Sequence, residues 1–218
     1  MTETVIAETP MMRQYLEIKK DHQDAILFFR LGDFYEMFLD DAKVAAKELS
    51  LTLTGRGKEE KRIPMCGVPY HAADNYIIKL ISKGYKVAIC EQVEAPEDAK
   101  GITKREVVKV VTPGTAVVHD VVDSKENNYL IAVNQIPKEQ GYGVSFVDIT
   151  TGEFKIFTVK SKDEIAAHFE RLNSKECIIE EGLELDVQPD ILINRVHVLP
   201  QDDSEIKDRK STRLNSSH

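Results

Sequence analysis

Residues Ala25 to Leu49, AILFFRLGDFYEMFLDDAKVAAKEL, constrain the fold more than any other stretch of the chain. An apolar run of Ile26, Leu27, Phe28 and Phe29 reads as a buried strand. Gly32 breaks it. Beyond the glycine, Met37, Phe38, Ala42, Ala45, Ala46 and Leu49 recur at helical spacing, so a strand–turn–helix unit is expected, ending near Ser50. Phe34, Tyr35 and Glu36 stand at the junction. Asp33 fits the N-cap of such a helix and Glu36 the N3 position of a capping box, with Phe34 tucked onto the strand. A strand-to-helix junction also presents side chains outward from a rigid scaffold, so a capping role and a ligand contact are compatible.

Elements of both kinds alternate on either side of this unit. Thr9-Pro10 starts a helix running to about Lys20, with Met11, Tyr15 and Ile18 on its inward stripe. Leu51 to Thr54 alternates like a half-buried strand. Residues 55–62, GRGKEEKR, form a charged turn flanked by glycines. Charge runs of this kind are usually solvated, but two glycines also allow Arg56 to approach a backbone phosphate. Ile63 to His71 holds two prolines and a glycine, which predicts a stiff irregular loop. Met65 on that loop suits either a sugar or base edge or the seal of a core. His71 has no partners that would make it a metal ligand. A helix is expected over Ala73–Lys83 with Gly84 closing it. Strands follow over Lys86–Glu91 and Val107–Val111, with a short turn at 95–101 between them. Lys104 and Arg105 form the best basic pair of this half.

The second half is read as strands Tyr129–Val133, Tyr142–Asp148 and Glu153–Val159 in a meander. A helix over Lys162–Leu172 follows, opened by a Ser161–Glu164 capping box, then short strands at Glu176–Ile179 and Ile191–Ile193. The last nine residues, KSTRLNSSH, are polar and aperiodic, and read as a non-native tail.

Charge is distributed unevenly. Residues 1–115 carry 17 Lys and Arg against 18 Asp and Glu, whereas the remainder carries 12 against 19. Of the net charge of −8, the first half therefore carries −1 and the second −7. A near-neutral first half can bind DNA through a local basic face, though not tightly by charge alone. Three scattered cysteines, without a C-x-x-C pair, suit inert thiols in a reducing compartment. No run of 18 apolar residues is present, and the first ten residues do not have the pattern of a secretory signal, so no membrane role is expected. The G-x-x-x-x-G-K-[ST] phosphate-loop motif is absent from the 218 residues.

GDFYEMF, IPMCGVPYHAADNYI, KVAICEQ and REVVKVVTPGT, in that order and spacing, resemble the N-terminal mismatch-recognition domain of the MutS family of DNA mismatch-repair proteins. Residues from about Asn127 onward resemble the start of that family's connector domain, with weaker motifs. The resemblance implies an α/β (α+β) chain: a mixed-sheet mismatch-recognition domain over 1–115, a linker over 116–128, and a truncated RNase-H-like connector domain over 129–209, with the tail at 210–218. It further implies binding of duplex DNA containing mismatches or small loops. Phe34 would be the aromatic wedge and Glu36 its hydrogen-bonding carboxylate, with Met65 beside the mispair and Arg56 and Arg105 near the DNA backbone. ATP and Mg are implied only for the family's C-terminal part, so no cofactor and no enzyme activity are expected in this chain. A homodimer, downstream repair proteins as partners, and a bacterial cytoplasmic, nucleoid-associated location complete what the resemblance implies.

Two other functions remain open at this point. An RNase-H-like nuclease would use Asp148, late in a strand, as a metal carboxylate; it needs several convergent carboxylates, and Glu153, Asp163, Glu164 and Glu170 read as a turn residue and a solvated helix face. A protein-interaction module is the other, since the acidic second half suits a basic partner.

Overall fold

Helix α1, Pro10–Asp21, begins as the sequence indicates: the Thr9 hydroxyl accepts the Met12 amide at 3.2 Å, with Pro10 in the first turn. Its buried residues are Met12 and Tyr15, while Met11 and Ile18 lie at the margin of the same cluster. The computed structural model describes residues 9–57, 62–94, 101–116, 127–136 and 141–197.

Strand β1, Ala25–Leu31, is followed after Gly32 and Asp33 by a second strand, β2, Phe34–Phe38, and not by a helix. This overturns the expected capping box: Asp33 caps nothing, and Glu36 is a strand residue. The reason is tertiary. FYEMF pairs on both sides, Phe29 with Glu36 toward β1 and Glu36 with Gly67 toward β4 (Ile63–Pro69). Tyr35 and Met37 then enter one core and Phe38 another, which a helix could not arrange. Helix α2 begins only at Leu39 and runs to Leu49, with Asp40 and Asp41 in its first turn and Ser50 closing it at φ 56°.

The loop between Ile63 and His71 is also corrected. Ile63–Pro69 forms β4, paired with β2 and with the short β3, Thr54–Arg56. Its prolines sit at the margins of the β2 ladder, which covers Met65 to Pro69: Pro69 ends it, and Pro64 lies outside it, paired only with Gly55 of the short edge strand β3. The strand expected at Leu51–Thr54 is displaced to Thr54–Arg56. Residues 58–61, the tip of the predicted charged turn, lie outside the described residues. A 3-10 turn, Tyr70–Ala72, leads into α3, Ala73–Ile81; β5, Lys86–Gln92, and β6, Arg105–Val111, complete the first sheet. The turn expected at 95–101 falls outside the described residues except for Gly101.

The six strands lie in the order β3-β4-β2-β1-β5-β6, with β1 and β5 parallel and the other pairs antiparallel. Both faces carry apolar side chains. One face, with Ile26, Phe28, Tyr35, Met37 and Val87, shares a core with Ala42 and Ala45 of α2 and Ile77 and Leu80 of α3. The other, with Leu27, Phe29, Phe38, Ala88 and Cys90, lies under Met12 and Tyr15 of α1.

The second sheet joins β7 (Tyr129–Ile136), β8 (Gly141–Asp148), β9 (Glu153–Val159), β10 (Glu176–Glu180) and β11 (Leu192–Val196) in the order β11-β10-β7-β8-β9. The meander β7-β8-β9 is antiparallel and β7-β10-β11 parallel, so this sheet too is mixed. Helix α4, Lys162–Leu172, packs Ile165 and Phe169 into its core, and the Ser161 hydroxyl accepts the Glu164 amide. The predicted linker at 116–128 is described only at Ala116, Asn127 and Asn128, and the predicted tail at 210–218 lies outside the described residues.

Candidate functional site

Residues in register across neighbouring strands point to the same side of a sheet, and alternate residues of one strand share a face. The pairs Leu31–Phe34, Phe29–Glu36, Glu36–Gly67, Phe38–Met65, Thr54–Met65 and Arg56–Ile63 therefore put Phe34, Glu36, Met65 and Arg56 on one face. It is the face that α1 covers farther along, where Phe29 and Phe38 are buried under Tyr15. The four residues lie along β2, β4 and β3, toward the β3 edge of the sheet.

Phe34 is 46% exposed, so its ring stands clear of the cores. Its backbone is held nonetheless. Gly32 adopts φ +57°, a left-handed conformation that glycine takes without strain, and turns the chain from β1 into β2. The Tyr70 amide donates to the Asp33 carbonyl at 2.9 Å, and Arg30 Nε donates to the Gly32 carbonyl at 2.5 Å. The Arg30 guanidinium in turn lies 3.7 Å from the centre of the Tyr70 ring. On the face that Arg30 shares with its cross-strand partner Tyr35, opposite to Phe34, the Tyr35 hydroxyl donates to Glu91, and burial together with that carboxylate pushes the phenol up to about 12. The turn that presents Phe34 is thus fixed by groups on both adjoining strands.

Glu36 is half-buried and its Oε2 has no hydrogen-bond partner among the described residues. Burial pushes its carboxyl above the ordinary glutamate range, against a smaller downward pull from Arg56. Arg56 Nη1 lies 3.6 Å from Oε2, an ion pair beyond hydrogen-bonding distance. The strand position facing Glu36 is Gly67, where an added Cβ would meet the Tyr35 carbonyl oxygen at 3.2 Å and Glu36 Cγ at 3.4 Å. Met65 is partly buried at the margin of the α1-covered cluster, and its carbonyl accepts the Thr54 hydroxyl.

Arg105 does not join this group. It is 7% exposed, donates from Nε to the Arg30 carbonyl at 2.6 Å and from Nη1 to Thr103 and Gln14, and lies 5.1 Å from the Phe29 ring centre. Its guanidinium is engaged at the junction of α1, β1 and β6, away from the other four predicted site residues. Sequence reasoning also passed over Gly67, Tyr70 and Arg30. Gly67 left a usable signal, because a glycine inside an apolar strand often marks a close approach. The Arg30–Tyr70 stacking joins residues forty positions apart and left none.

The carboxylates weighed for nuclease chemistry do other work. Asp148 is fully buried at the end of β8; burial pushes its carboxyl up, but hydrogen bonds from Thr150 and Thr151 outweigh this and hold it below the ordinary aspartate range. Glu153 accepts the Tyr129 hydroxyl and pairs with Lys155. Among the described residues no group of three or more His, Cys, Asp or Glu is placed to hold a metal ion. All three cysteines are free and buried, with thiols pushed up to about 11 at Cys66 and about 12 at Cys90 and Cys177. No described helix is long and apolar enough to cross a membrane.

Two mixed sheets with helices packed on them, the first bearing an exposed aromatic near a poorly satisfied carboxylate, define an α/β protein of two sheet-based parts. Family models sharpen this: residues 9–120 match MutS domain I and residues 128–217 match MutS domain II. The chain belongs to the MutS family. It is 56% identical over 175 residues to the DNA mismatch repair protein MutS of Halalkalibacterium halodurans, covering 80% of this chain and 20% of that protein. It is 50% identical over 207 residues to the protein of the same name from Shouchella clausii, covering 94% of this chain and 24% of that one. The chain thus spans about a fifth to a quarter of the length of these curated relatives.

Proposed function

We propose that the open corner of the first sheet senses mispaired or looped-out bases in duplex DNA, as the opening step of mismatch repair. The observation that carries this reading is the Phe34 ring, exposed on a turn locked by Arg30 and Tyr70. A sensor indifferent to sequence must test mechanics, and a mispair stacks poorly and bends cheaply. An apolar wedge entering the minor groove costs a few kcal/mol of unstacking, less at a mispair, and kinks the duplex by roughly 20–90°. Stacking of a base on an aromatic ring returns about 1–3 kcal/mol whatever the base. Phe34 supplies the ring without weakening a core, since it fills none.

Glu36 reads the displaced base. A carboxylate near phosphates is repelled, but a carboxyl already raised by burial takes a proton readily in an anionic groove and can then donate to the base. Arg56 contacts a backbone phosphate, and Met65 packs beside the opened step. The names of the relatives support the repair role, and the second domain serves on this reading as the connector to the rest of a longer protein.

The test grafts this chain in place of the matching segment of the full-length H. halodurans relative and titrates matched and mismatched duplexes by fluorescence anisotropy. The graft prefers the mismatched duplex. Phe34→Ala abolishes that preference, and Glu36→Gln keeps or tightens binding while narrowing the gap to matched DNA. Undiminished discrimination with Phe34→Ala rejects the wedge.

A further inference from the structure

The pairing of Arg56 with Glu36 bears on how the two act in sequence. Oε2 of Glu36 is withdrawn from solvent and accepts no hydrogen bond. Across β1 it faces Phe29 and across β4 Gly67, neither of which offers a charge or a side-chain donor. Among the described residues, Arg56 is the charged group that reaches it, at 3.6 Å. The two ends of this pair are unequal. The Glu36 side chain is 20% exposed and anchored in a strand paired on both sides, whereas that of Arg56 is 51% exposed on the three-residue edge strand β3. Arg62, immediately before the strand paired with β3, is engaged elsewhere: its Nε donates to the Gly55 carbonyl at 3.2 Å and its stem lies over Gly55.

We propose that Arg56 is a removable counter-ion for Glu36: paired with it in the DNA-free chain, and drawn off by a backbone phosphate when DNA arrives, so that Glu36 takes up a proton only where the backbone is engaged. The inference rests on the reading of this corner as a mismatch sensor and adds to it an order of events. The exchange balances. The Arg56 cation moves from carboxylate to phosphate, and one proton from solvent neutralises the carboxylate it leaves. An ionised Glu36 beside an unengaged Arg56 then presents no hydrogen-bond donor to a base, and gains one after Arg56 has left. Losing an opposite charge this close raises a carboxyl pKa, with the effect reduced by the exposure of Arg56.

The deciding measurement needs no DNA. Carbon-13 NMR of the Glu36 side-chain carboxyl follows its titration in the 218-residue chain and in Arg56→Gln and Arg56→Lys. The midpoint moves up by about half to one pH unit in Arg56→Gln and stays near the original value in Arg56→Lys. An unmoved midpoint in Arg56→Gln overturns the proposal. In the grafted full-length protein, calorimetry in two buffers of different ionisation enthalpy counts protons taken up on binding a mismatched duplex. Uptake is smaller in Arg56→Gln, whose Glu36 is already partly protonated, and equal uptake also overturns the proposal. Undiminished mismatch discrimination with Phe34→Ala would instead strike the sensor reading and leave the NMR result standing.

Discussion

The first sheet has one face with two fates. Where α1 covers it, Phe29 of β1, Phe38 at the end of β2 and Arg105 of β6 are buried beneath or beside Met12 and Tyr15. At the start of β2 and on the edge strand β3 the same face is more open, with Phe34 and Arg56 exposed and Glu36 half-buried. Phe29 and Glu36 are direct cross-strand partners, so the boundary between core and site falls within one residue pair. A phenylalanine and an arginine occur in each half, and their chemistry is the same; what differs is whether a helix lies above them. Residue type therefore does not say which aromatic stays exposed and which is built into the core.

The contrast can be broken or sharpened by substitution, beginning with the largest effect. Phe29→Ala removes a fully buried ring from under α1 and lowers stability by about 3–5 kcal/mol, read from urea unfolding. Arg105→Ala leaves the Arg30 and Thr103 carbonyls without their donor and removes the stacking on Phe29; it costs about 2–4 kcal/mol by the same measurement, and Arg105→Lys recovers only part, since an ammonium lacks the planar fork. Gly67→Ala, on the open half, crowds the Tyr35 carbonyl and Glu36 Cγ, costs about 1 kcal/mol and displaces the Glu36 carboxyl resonance. Phe34→Ala, though it deletes the same ring as Phe29→Ala, has the smallest effect, about 0.5 kcal/mol, because nearly half of the residue is exposed and it belongs to none of the buried cores.

Acid and base separate the halves in a further way. The carboxyl of Glu36 is raised in the folded chain, first by burial, so its contribution to stability is fully present below the ordinary glutamate range and is lost as pH rises through the raised folded value. Glu36→Gln, which does not titrate, therefore melts about 1–2 °C above the parent at neutral pH and level with it in acid, measured by circular dichroism. A parent that melts higher than Glu36→Gln at neutral pH contradicts the account of this carboxyl.

Much of the element order was legible because it depends on local chemistry: Thr9 and Ser161 as caps, the meander of β7 to β9, and the helices α2 and α3 with their apolar stripes. The junction was not. D-F-Y-E satisfies the local rule for a capping box, and nothing within FYEMF says that β1 and β4 will claim both of its edges. Pro64 and Pro69 misled in the same way, since a proline forbids a ladder only where that ladder needs its amide. For the site, Phe34, Glu36, Arg56 and Met65 were reached through the family resemblance, and their shared face follows from the strand register. That Arg105 folds back onto Gln14 and Phe29 was not legible, because a basic pair ahead of a strand looks the same whether it faces water or packs inward. The support from Arg30 and Tyr70 depends on a contact between distant segments.

The central claim, that the Phe34 ring enters the base stack, is tested most directly with 2-aminopurine placed beside a mispair, whose emission rises when it is unstacked. In the grafted full-length protein at saturation, emission rises with Phe34 present and stays at the free-duplex level with Phe34→Ala. An equal rise with Phe34→Ala would mean that some other group opens the stack, and the account of this corner would be wrong.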